Sequence, residues 1–496
     1  MTPSDPFFSA QQFSRSGNDE LTFSSDFLPK SLFREYDVRG TVDASPITES
    51  ETLNGFVAQR LGRAFGTYLD KRGVSTVAIG HDSRSYSSGL ASSVVAGLLS
   101  TGRTVVDIGL ATSPLVYFAQ HALGGTGCVS VTASHNPNGW AGFKFGSEPS
   151  QTLGSEEIQE LHQIAAAGEF VTGSGQYREE DVLERYVEDL VGRVPSGDGF
   201  KVIVDGANSV SGAISKLVLE RAGYDVTAIN LPLDWTFPNH EPDPESVAAR
   251  AQIEKAVVES GASAGVSFDG DGDRLGITDD LGNAVWADTA LALLARDSLS
   301  RHPGAQIVFD VKCSRAVPET IEAAGGIPVM WKTGHSHIKH KAQELDSPLG
   351  GERSGHFFDR GDYYGYDDGT YSALRFLTVV RQSGKTTSEL VAELPQYSIT
   401  PTMHAECPEE RKYEIVDIFG KYIEGRGPNE IVTINGIRAE FEDGWLLVRA
   451  SSNLPTIVMV AEATTESRLR EFYEMLREGL DQIEGVAKTW SNDPWG

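Results

Sequence analysis

Val202-Ile203-Val204-Asp205 opens a stretch that runs on as a helical pattern to Arg221, then Gly223, then Asp225-Val226-Thr227-Ala228-Ile229. Strand, helix, glycine, strand is a βαβ unit, which requires a parallel strand pair with a helix laid over it. The same plan occurs upstream. Val77-Ala78-Ile79-Gly80-His81-Asp82 leads through a helix and Gly102 to Thr104-Val105-Val106-Asp107-Ile108. It occurs again downstream, from Ile307-Val308-Phe309-Asp310 through Gly325-Gly326 to Ile327-Pro328-Val329-Met330. Copies roughly 100 residues apart are too widely spaced for a solenoid and fit whole domains. The pattern predicts an α/β protein with three related mixed-sheet α/β domains.

The last part reads differently. Val432-Thr433-Ile434, Gly436-Ile437-Arg438-Ala439-Glu440-Phe441, Gly444-Trp445-Leu446-Leu447-Val448-Arg449 and Ile457-Val458-Met459-Val460-Ala461-Glu462 are short strands set off by turn residues. A helix from about Glu466 to Gln482 follows. This predicts a smaller C-terminal α+β domain with an antiparallel sheet. The expected division is a flexible extension over 1–30, then domains over 31–181, 182–283, 284–396 and 397–496. A helix near Glu184 to Val194 links the first two domains, and Tyr397 to Thr400 links the last two.

Composition narrows the function. The chain has 496 residues and a formal net charge of -28. Nucleic acid and anionic membrane both require a basic surface, so neither is expected as a partner. An anionic substrate would need positive charge concentrated locally. Cys128, Cys313 and Cys407 are far apart and form no C-x-x-C pair, so a reducing compartment fits and a zinc or disulfide framework does not. The N-terminus lacks a signal-peptide pattern, and no apolar run reaches the ~18 residues of a membrane span. The expectation is a cytoplasmic protein.

Chemistry concentrates in five segments. In Val131-Thr132-Ala133-Ser134-His135-Asn136-Pro137-Asn138-Gly139-Trp140, a short buried strand from Cys128 ends in a shaped polar turn. Ser134 at its tip is a candidate phosphate-carrying nucleophile, although from the turn alone an ordinary exposed turn serine is the commoner case. It is not a hydrolase elbow, because Thr132 stands where G-x-S-x-G requires glycine. His135 should point away from it, as neighbours in extended chain do, so the pair is not read as a dyad.

Val266-Ser267-Phe268-Asp269-Gly270-Asp271-Gly272-Asp273-Arg274 runs a strand into three carboxylates spaced by glycine. Glycine lets the backbone fold tightly enough for Asp269, Asp271 and Asp273 to converge. Converging carboxylates need a hard cation, most naturally Mg²⁺. An EF-hand is excluded, because Arg274 takes the place of its glycine and a strand precedes the loop. A solvated acidic turn is the plainer alternative, and alternating Asp-Gly after an apolar strand argues against it.

Gly350-Gly351-Glu352-Arg353-Ser354-Gly355-His356 reads as a glycine-rich loop whose Glu352 and Ser354 suit sugar hydroxyls. His335, in the loop Trp331-Lys332-Thr333-Gly334-His335-Ser336-His337, is an acid/base or phosphate ligand, or simply structural. Arg449-Ala450-Ser451-Ser452-Asn453-Leu454-Pro455 reads as an anion cradle, or as an ordinary turn with an exposed arginine.

Together and in this order, these segments resemble the α-D-phosphohexomutase family, in particular its bacterial phosphomannomutase/phosphoglucomutase branch. Phe33-Arg34-Glu35-Tyr36-Asp37-Val38-Arg39-Gly40 is similar to the family's N-terminal signature. Thr132 to Pro137, with Lys144 following, is similar to its phosphoserine loop. Asp269 to Arg274 resembles its metal loop, and Gly351 to His356 its sugar loop. Phe237-Pro238-Asn239-His240 and Gly365-Tyr366-Asp367-Asp368-Gly369 are further matches. The likeness runs from about Phe33 to the final helix.

The resemblance implies four domains around a central cleft. It implies reversible interconversion of hexose 1-phosphate and hexose 6-phosphate, of mannose and/or glucose, through a phosphoserine and a hexose 1,6-bisphosphate. Ser134, Lys144, Arg274 and His335 would be catalytic. Tyr36, Arg39, Lys312, Glu352, Ser354, His356, Arg449, Ser451 and Asn453 would bind substrate. Ser134, through its phosphoryl oxygen, and Asp269, Asp271 and Asp273 would hold one Mg²⁺. Glucose 1,6-bisphosphate would be an activator, small sugar phosphates the partners, and the assembly a monomer or dimer. Arg39, Lys144, Arg274, Lys312, Lys332 and Arg449 would share the cleft, which answers the charge problem.

Two departures stand out. The phosphate loop lacks the family's usual threonine, and Arg353 fills a variable slot of the sugar loop. The alternatives are a phosphoglucosamine mutase, or a Mg²⁺-dependent aspartyl phosphatase using Asp269-x-Asp271, which leaves Ser134 without a role. A catalytically dead homologue is a third, against which every chemical position is present. Two structural expectations follow. The motif loops sit at the carboxyl ends of strands, and the last domain moves to let the bisphosphate turn.

Overall fold

The computed structural model describes residues 28–42, 52–452 and 454–495. Most of the expected N-terminal extension, and Asn453, therefore lie outside the described residues. Leu28 and Leu32 are already packed into the first domain's core.

The first sheet contains β1 (Val38–Val42), β2 (Thr52–Leu53), β3 (Thr76–His81), β4 (Thr104–Leu110), β5 (Gly127–Val131), β6 (Trp140–Gly146) and β7 (Tyr177–Glu179). Its order is β2-β1-β6-β5-β3-β4-β7. The second contains β8 (Lys201–Asp205), β9 (Asp225–Ile229), β10 (Ala264–Phe268), β11 (Leu275–Asp279) and β12 (Ala284–Val285), in the order β12-β11-β10-β8-β9. The third contains β13 (Gln306–Asp310), β14 (Ile327–Trp331), β15 (Leu349–Gly351) and β16 (Phe357–Asp359), in the order β14-β13-β15-β16.

One quartet recurs in all three. Its first strand lies between two parallel neighbours, and the fourth strand runs antiparallel to the third. The pairs β3-β4, β8-β9 and β13-β14 are the three repeats read in the sequence, and each is parallel as expected. Strands such as β10 are buried along their whole length, as strands with both faces covered must be.

The repetition positions the chemistry. Ser134 follows β5, Asp269 follows β10 and Glu352 follows β15, so each loop joins the third strand of a quartet to the antiparallel fourth. All three leave the carboxyl end of a strand, as expected. Two local readings change. Gly350 and Gly351 belong to β15 rather than to a loop, and a Cβ at Gly351 would lie 2.6 Å from Leu291. His335 opens a helix, His335–Glu344, rather than sitting in a loop.

The fourth sheet is antiparallel, with β17 (Ser398–Ile399), β18 (Met403–Glu406), β19 (Glu430–Val432), β20 (Ile437–Phe441), β21 (Gly444–Ala450), β22 (Thr456–Ala463) and β23 (Trp490–Ser491). Helices Lys412–Glu424 and Glu466–Leu480 close one face over a separate core. The linker at Tyr397 to Thr400 carries β17, which pairs with β22.

The largest core runs continuously through the first three domains, from Tyr117 and Phe118 through Val204 and Phe268 to Leu291 and Phe376. The fourth domain docks by a small apolar patch of Val311, Trp445, Leu447 and Val460. Arginines surround that patch. Arg438 donates to the carbonyls of Val311 and Cys313 at 2.6 and 2.9 Å. Arg315 pairs with Glu440 at 2.6 Å, and Arg353 donates to Thr400 O at 3.1 Å.

Candidate active site

The serine loop is held from three sides. Asp82, at the end of β3, accepts from Arg84 Nη1 at 2.6 Å, Ser87 Oγ at 2.5 Å and Ala133 N at 3.4 Å. Arg84 then donates to Ser134 O at 3.2 Å and to Asn136 O. Arg39, paired with Asp37 at 2.6 Å, donates to Asn136 Oδ1 at 2.6 Å. The backbone at Ser134 takes φ 52°, a left-handed conformation. That turn overturns the expectation for His135, whose Nδ1 lies 3.2 Å from Ser134 Oγ. Alternation of side chains applies within a strand, and β5 ends at Val131.

Ser134 Oγ donates to Asp269 Oδ2 at 2.7 Å. Gly270 makes this approach possible, since a Cβ there would stand 2.6 Å from Ser134 O. Gly272, at φ 75°, turns the chain between the second and third carboxylates. Asp269, Asp271 and Asp273 are fully buried, with ligand oxygens within 4.8 Å of one another.

Lys144 on β6 donates to Asp271 Oδ2 at 2.7 Å and to Asp273 Oδ2. Burial alone would depress its pKa, but Asp271 and Asp273 outweigh that and hold the ammonium well above its ordinary range. Burial, with repulsion from Asp271 and Asp273, pushes the Asp269 carboxyl well up. Asp271 Oδ1 and Asp273 Oδ1 are buried with no hydrogen-bond partner among the described residues. A pair of orphaned carboxylate oxygens beside Asp269 is a donor set that fits a hard divalent cation.

A second layer joins the sugar side. Arg274 Nε lies 4.0 Å from Asp269 Oδ2 and donates to His356 Nε2 at 3.0 Å. His356 Nδ1 is 3.0 Å from Asp367 Oδ2, out of line for a hydrogen bond. Lys339, buried, donates to Asp367 Oδ1 at 3.0 Å. His335 stands 3.8 Å from Asp367 through Nδ1, and the edge of Tyr36 meets its ring at 4.5 Å between centroids. Among the described residues neither ring nitrogen of His335 has a hydrogen-bond partner. Burial, with the charges of Lys339 and Lys144, holds it well below the ordinary histidine range and therefore neutral.

Glu352 Oε1 accepts from Gly334 N at 2.5 Å, beside His335, and burial raises its pKa. Ser354 is half-buried in the same turn. Lys312 Nζ lies 3.6 Å from Asp310 Oδ2. Arg449 donates to Ser452 Oγ at 3.1 Å, and Lys412 donates to Ser451 O at 2.9 Å. Glu35 reaches across from the first domain to His337 at 2.7 Å. Of the six cations expected to share the site, Lys332 is exposed, Arg274 is half-buried, and Arg39, Lys144, Lys312 and Arg449 are buried.

The arrangement thus joins Ser134, Lys144, the three aspartates, Arg274, His335, His356 and Tyr36 by direct contacts. Asp82, Arg84, Lys339 and the contacts of Asp367 were not singled out in the sequence. Asp82-x-Arg84 directly after a strand was the available signal, since the end of a parallel strand is where α/β sheets place functional groups. Asp368 plays a structural part. It caps helix Gly369–Ser383 by accepting from Tyr371 N at 2.9 Å.

Comparison with known proteins agrees. Models of the phosphoglucomutase/phosphomannomutase alpha/beta/alpha domains I, II and III match residues 30–172, 184–282 and 286–397, and that of the C-terminal domain matches 403–479. A phosphomannomutase/phosphoglucomutase of Pseudomonas putida is 37% identical, covering 92% of this chain and 97% of its own. A phosphoglucomutase of Neisseria gonorrhoeae is 35% identical over 92% of this chain and 97% of its own. The crystal structure of a phosphoglucomutase/phosphomannomutase family protein from Burkholderia thailandensis superposes with a TM-score of 0.84 at 33% identity, covering 92% of this chain and 99% of that one. Fold, site and likeness agree that this chain belongs to the phosphoglucomutase/phosphomannomutase family.

Proposed function

We propose that this enzyme interconverts hexose 1-phosphate and hexose 6-phosphate, of mannose and/or glucose, with Ser134 carrying the phosphoryl group between turnovers. The observation that carries the reading is the Ser134 hydroxyl on Asp269, within the three-carboxylate cluster that Lys144 enters. An aspartyl phosphatase would need Asp269 free to attack, whereas here the serine covers it.

Phosphoryl transfer depends on positioning and charge neutralisation. Asp269, Asp271 and Asp273 would hold Mg²⁺ with an oxygen of the Ser134 phosphoryl group, and the ion when bound supplies charge neutralisation at the phosphorus. Lys144 and Arg274 add fixed positive charge around the transferring group. In the first transfer a substrate hydroxyl bonds to phosphorus, the bond from phosphorus to Ser134 Oγ breaks, the Lys144 ammonium gives a proton to the departing serine oxygen, and the substrate hydroxyl proton passes to neutral His335; the second transfer returns both protons. Tyr36 and Arg39 flank the serine loop and His356 faces the sugar. Glu352 and Ser354 hold sugar hydroxyls, while Lys312, Arg449 and Ser451 grip the phosphate that does not react. Asn453 joins them on the strength of the sequence. The hexose 1,6-bisphosphate then turns over and returns its other phosphoryl group to Ser134. Glucose 1,6-bisphosphate would load an unphosphorylated serine, which makes it an activator.

We assign the enzyme to the cytoplasm, as a monomer or dimer, with no nucleic-acid or membrane partner. Among the described residues no helix is long and apolar enough to cross a membrane. The test is turnover of glucose 1-phosphate, mannose 1-phosphate and glucosamine 1-phosphate with Mg²⁺ and a trace of glucose 1,6-bisphosphate. Isomerisation to the 6-phosphate without net phosphate release is expected, and it should fall by roughly 10³-fold or more in Ser134→Ala. Stoichiometric release of inorganic phosphate, or undiminished activity in Ser134→Ala, would contradict the reading.

A further inference from the structure

The fourth sheet carries a polar row that the mechanism above leaves partly unused. His404 on β18 lies opposite Val458 on β22, and Arg449 on β21 lies opposite the same Val458. Residues directly opposed across antiparallel strands project from one face. Arg449, Val458 and His404 therefore form a single row, and Thr456, two residues along β22 from Val458, shares their face. This is the face turned toward the third domain. Trp445, Leu447 and Val460 continue it and pack on Val311, the residue before Lys312. The other face, with Met403, Ala405, Ile457 and Met459, is sealed by the domain's own core.

Three buried polar atoms in this patch have no hydrogen-bond partner among the described residues: Arg449 Nε, Thr456 Oγ1 and His404 Nδ1. Buried polar atoms are nearly always satisfied in native proteins, so three neighbouring orphans on one face mark the place of a ligand. The charge around them selects its sign. Burial, then the positive charges of Lys312 and Arg449, lower the His404 pKa to about 4 and keep the ring neutral. Asp310 stands 3.6 Å from Lys312, and Glu35 interacts with Arg449 and Ser452. But the orphaned groups themselves are a guanidinium, a neutral N–H donor and a hydroxyl, a set that suits a phosphate dianion, whose oxygens accept several hydrogen bonds at once.

We propose that His404 and Thr456 complete the subsite for the non-reacting phosphate, donating to oxygens gripped by Lys312, Arg449 and Ser451. The proposal rests on the mutase reading for its substrate, but the subsite can be probed with inorganic phosphate alone. Both added donors are uncharged, so they contribute direction and number of hydrogen bonds rather than attraction.

The experiment uses the full chain and measures two quantities: the Kd for inorganic phosphate by calorimetry, and kcat and KM for glucose 1-phosphate. His404→Leu should weaken phosphate binding and raise KM by about tenfold each, the scale of one hydrogen bond to a charged group, with kcat changed less than about threefold. His404→Gln, which keeps an N–H donor, should recover part of that loss, and Thr456→Val should lose about fivefold. Thermal midpoints identify variants that are folded. Wild-type affinity for phosphate and wild-type KM in folded Thr456→Val, or in folded His404→Leu, would overturn the proposal. Failure of the wild type to isomerise hexose phosphates, with phosphate binding still lost in these variants, would sink the mutase reading and leave the subsite standing.

Discussion

Asp368 shows what a single buried carboxylate does in this fold. Burial pushes its pKa up to about 6, against the bonds it accepts from Tyr371 N, Tyr363 Oη and Tyr186 Oη. An unfolded aspartate titrates near 3.9, so between about pH 4 and pH 6 the folded state holds the proton more tightly. That stabilisation is complete below pH 4 and is lost as the pH rises through 6. Asp368→Asn keeps an N-cap acceptor and removes the titration. Its unfolding free energy in urea, relative to wild type, should rise by up to about 3 kcal/mol between pH 4 and pH 6 and then level off. A difference that stays flat across that window would contradict this origin of the shift. At this scale the sequence was legible where residue type dictates chemistry. Three aspartates spaced by glycine admit few roles, and a serine in a shaped turn beside them admits few more. It was not legible where a residue acts across the fold. Asp82 and Arg84 hold a loop about 50 residues away by bonding its backbone, and nothing local announces that. His135 was misjudged because strand alternation was carried past the end of β5, into a residue with φ 52°.

Among the elements, the βαβ repeat was plain from the recurrence of apolar strand, helix and glycine. The third and fourth strands of each quartet were harder to see, because β15 is three residues long and two of them are glycine. Yet these are the strands that carry the functional loops. The sheet of the fourth domain offers the clearest test of an element's anchoring. Arg438 is fully buried, stacks 3.7 Å from the Trp445 ring centroid, pairs with Glu440 at 2.7 Å, and bonds two carbonyls of the third domain. Removing one partner of such a network leaves buried groups unpaired, at a cost of about 3–5 kcal/mol. Arg438→Met should therefore loosen the docking of the fourth domain while the continuous core of the first three keeps its stability. Limited proteolysis should cut faster near Tyr397 to Thr400. Cleavage at the wild-type rate would mean that the apolar patch of Val311, Trp445, Leu447 and Val460, with Arg315 and Arg353, holds the domain without Arg438.

For the whole molecule, an acidic chain gathers buried cations around one cluster of carboxylates. The chain as a whole carries a net charge of -28, yet Arg39, Lys144, Lys312, Lys339 and Arg449 are all buried. Three copies of one topology each present a loop at the same point, and direct contacts join those loops, Ser134 to Asp269 and Arg274 to His356. The central claim is that Ser134 stores the phosphoryl group. Treating the enzyme with isotopically labelled glucose 1,6-bisphosphate and Mg²⁺, then mapping the label by peptide mass spectrometry, tests it most directly. One phosphoryl group per chain is expected on the peptide containing Ser134, stable to hydroxylamine and transferred to added glucose 1-phosphate. Label on the Asp269 peptide that hydroxylamine removes, or no label in an active enzyme, would contradict the claim.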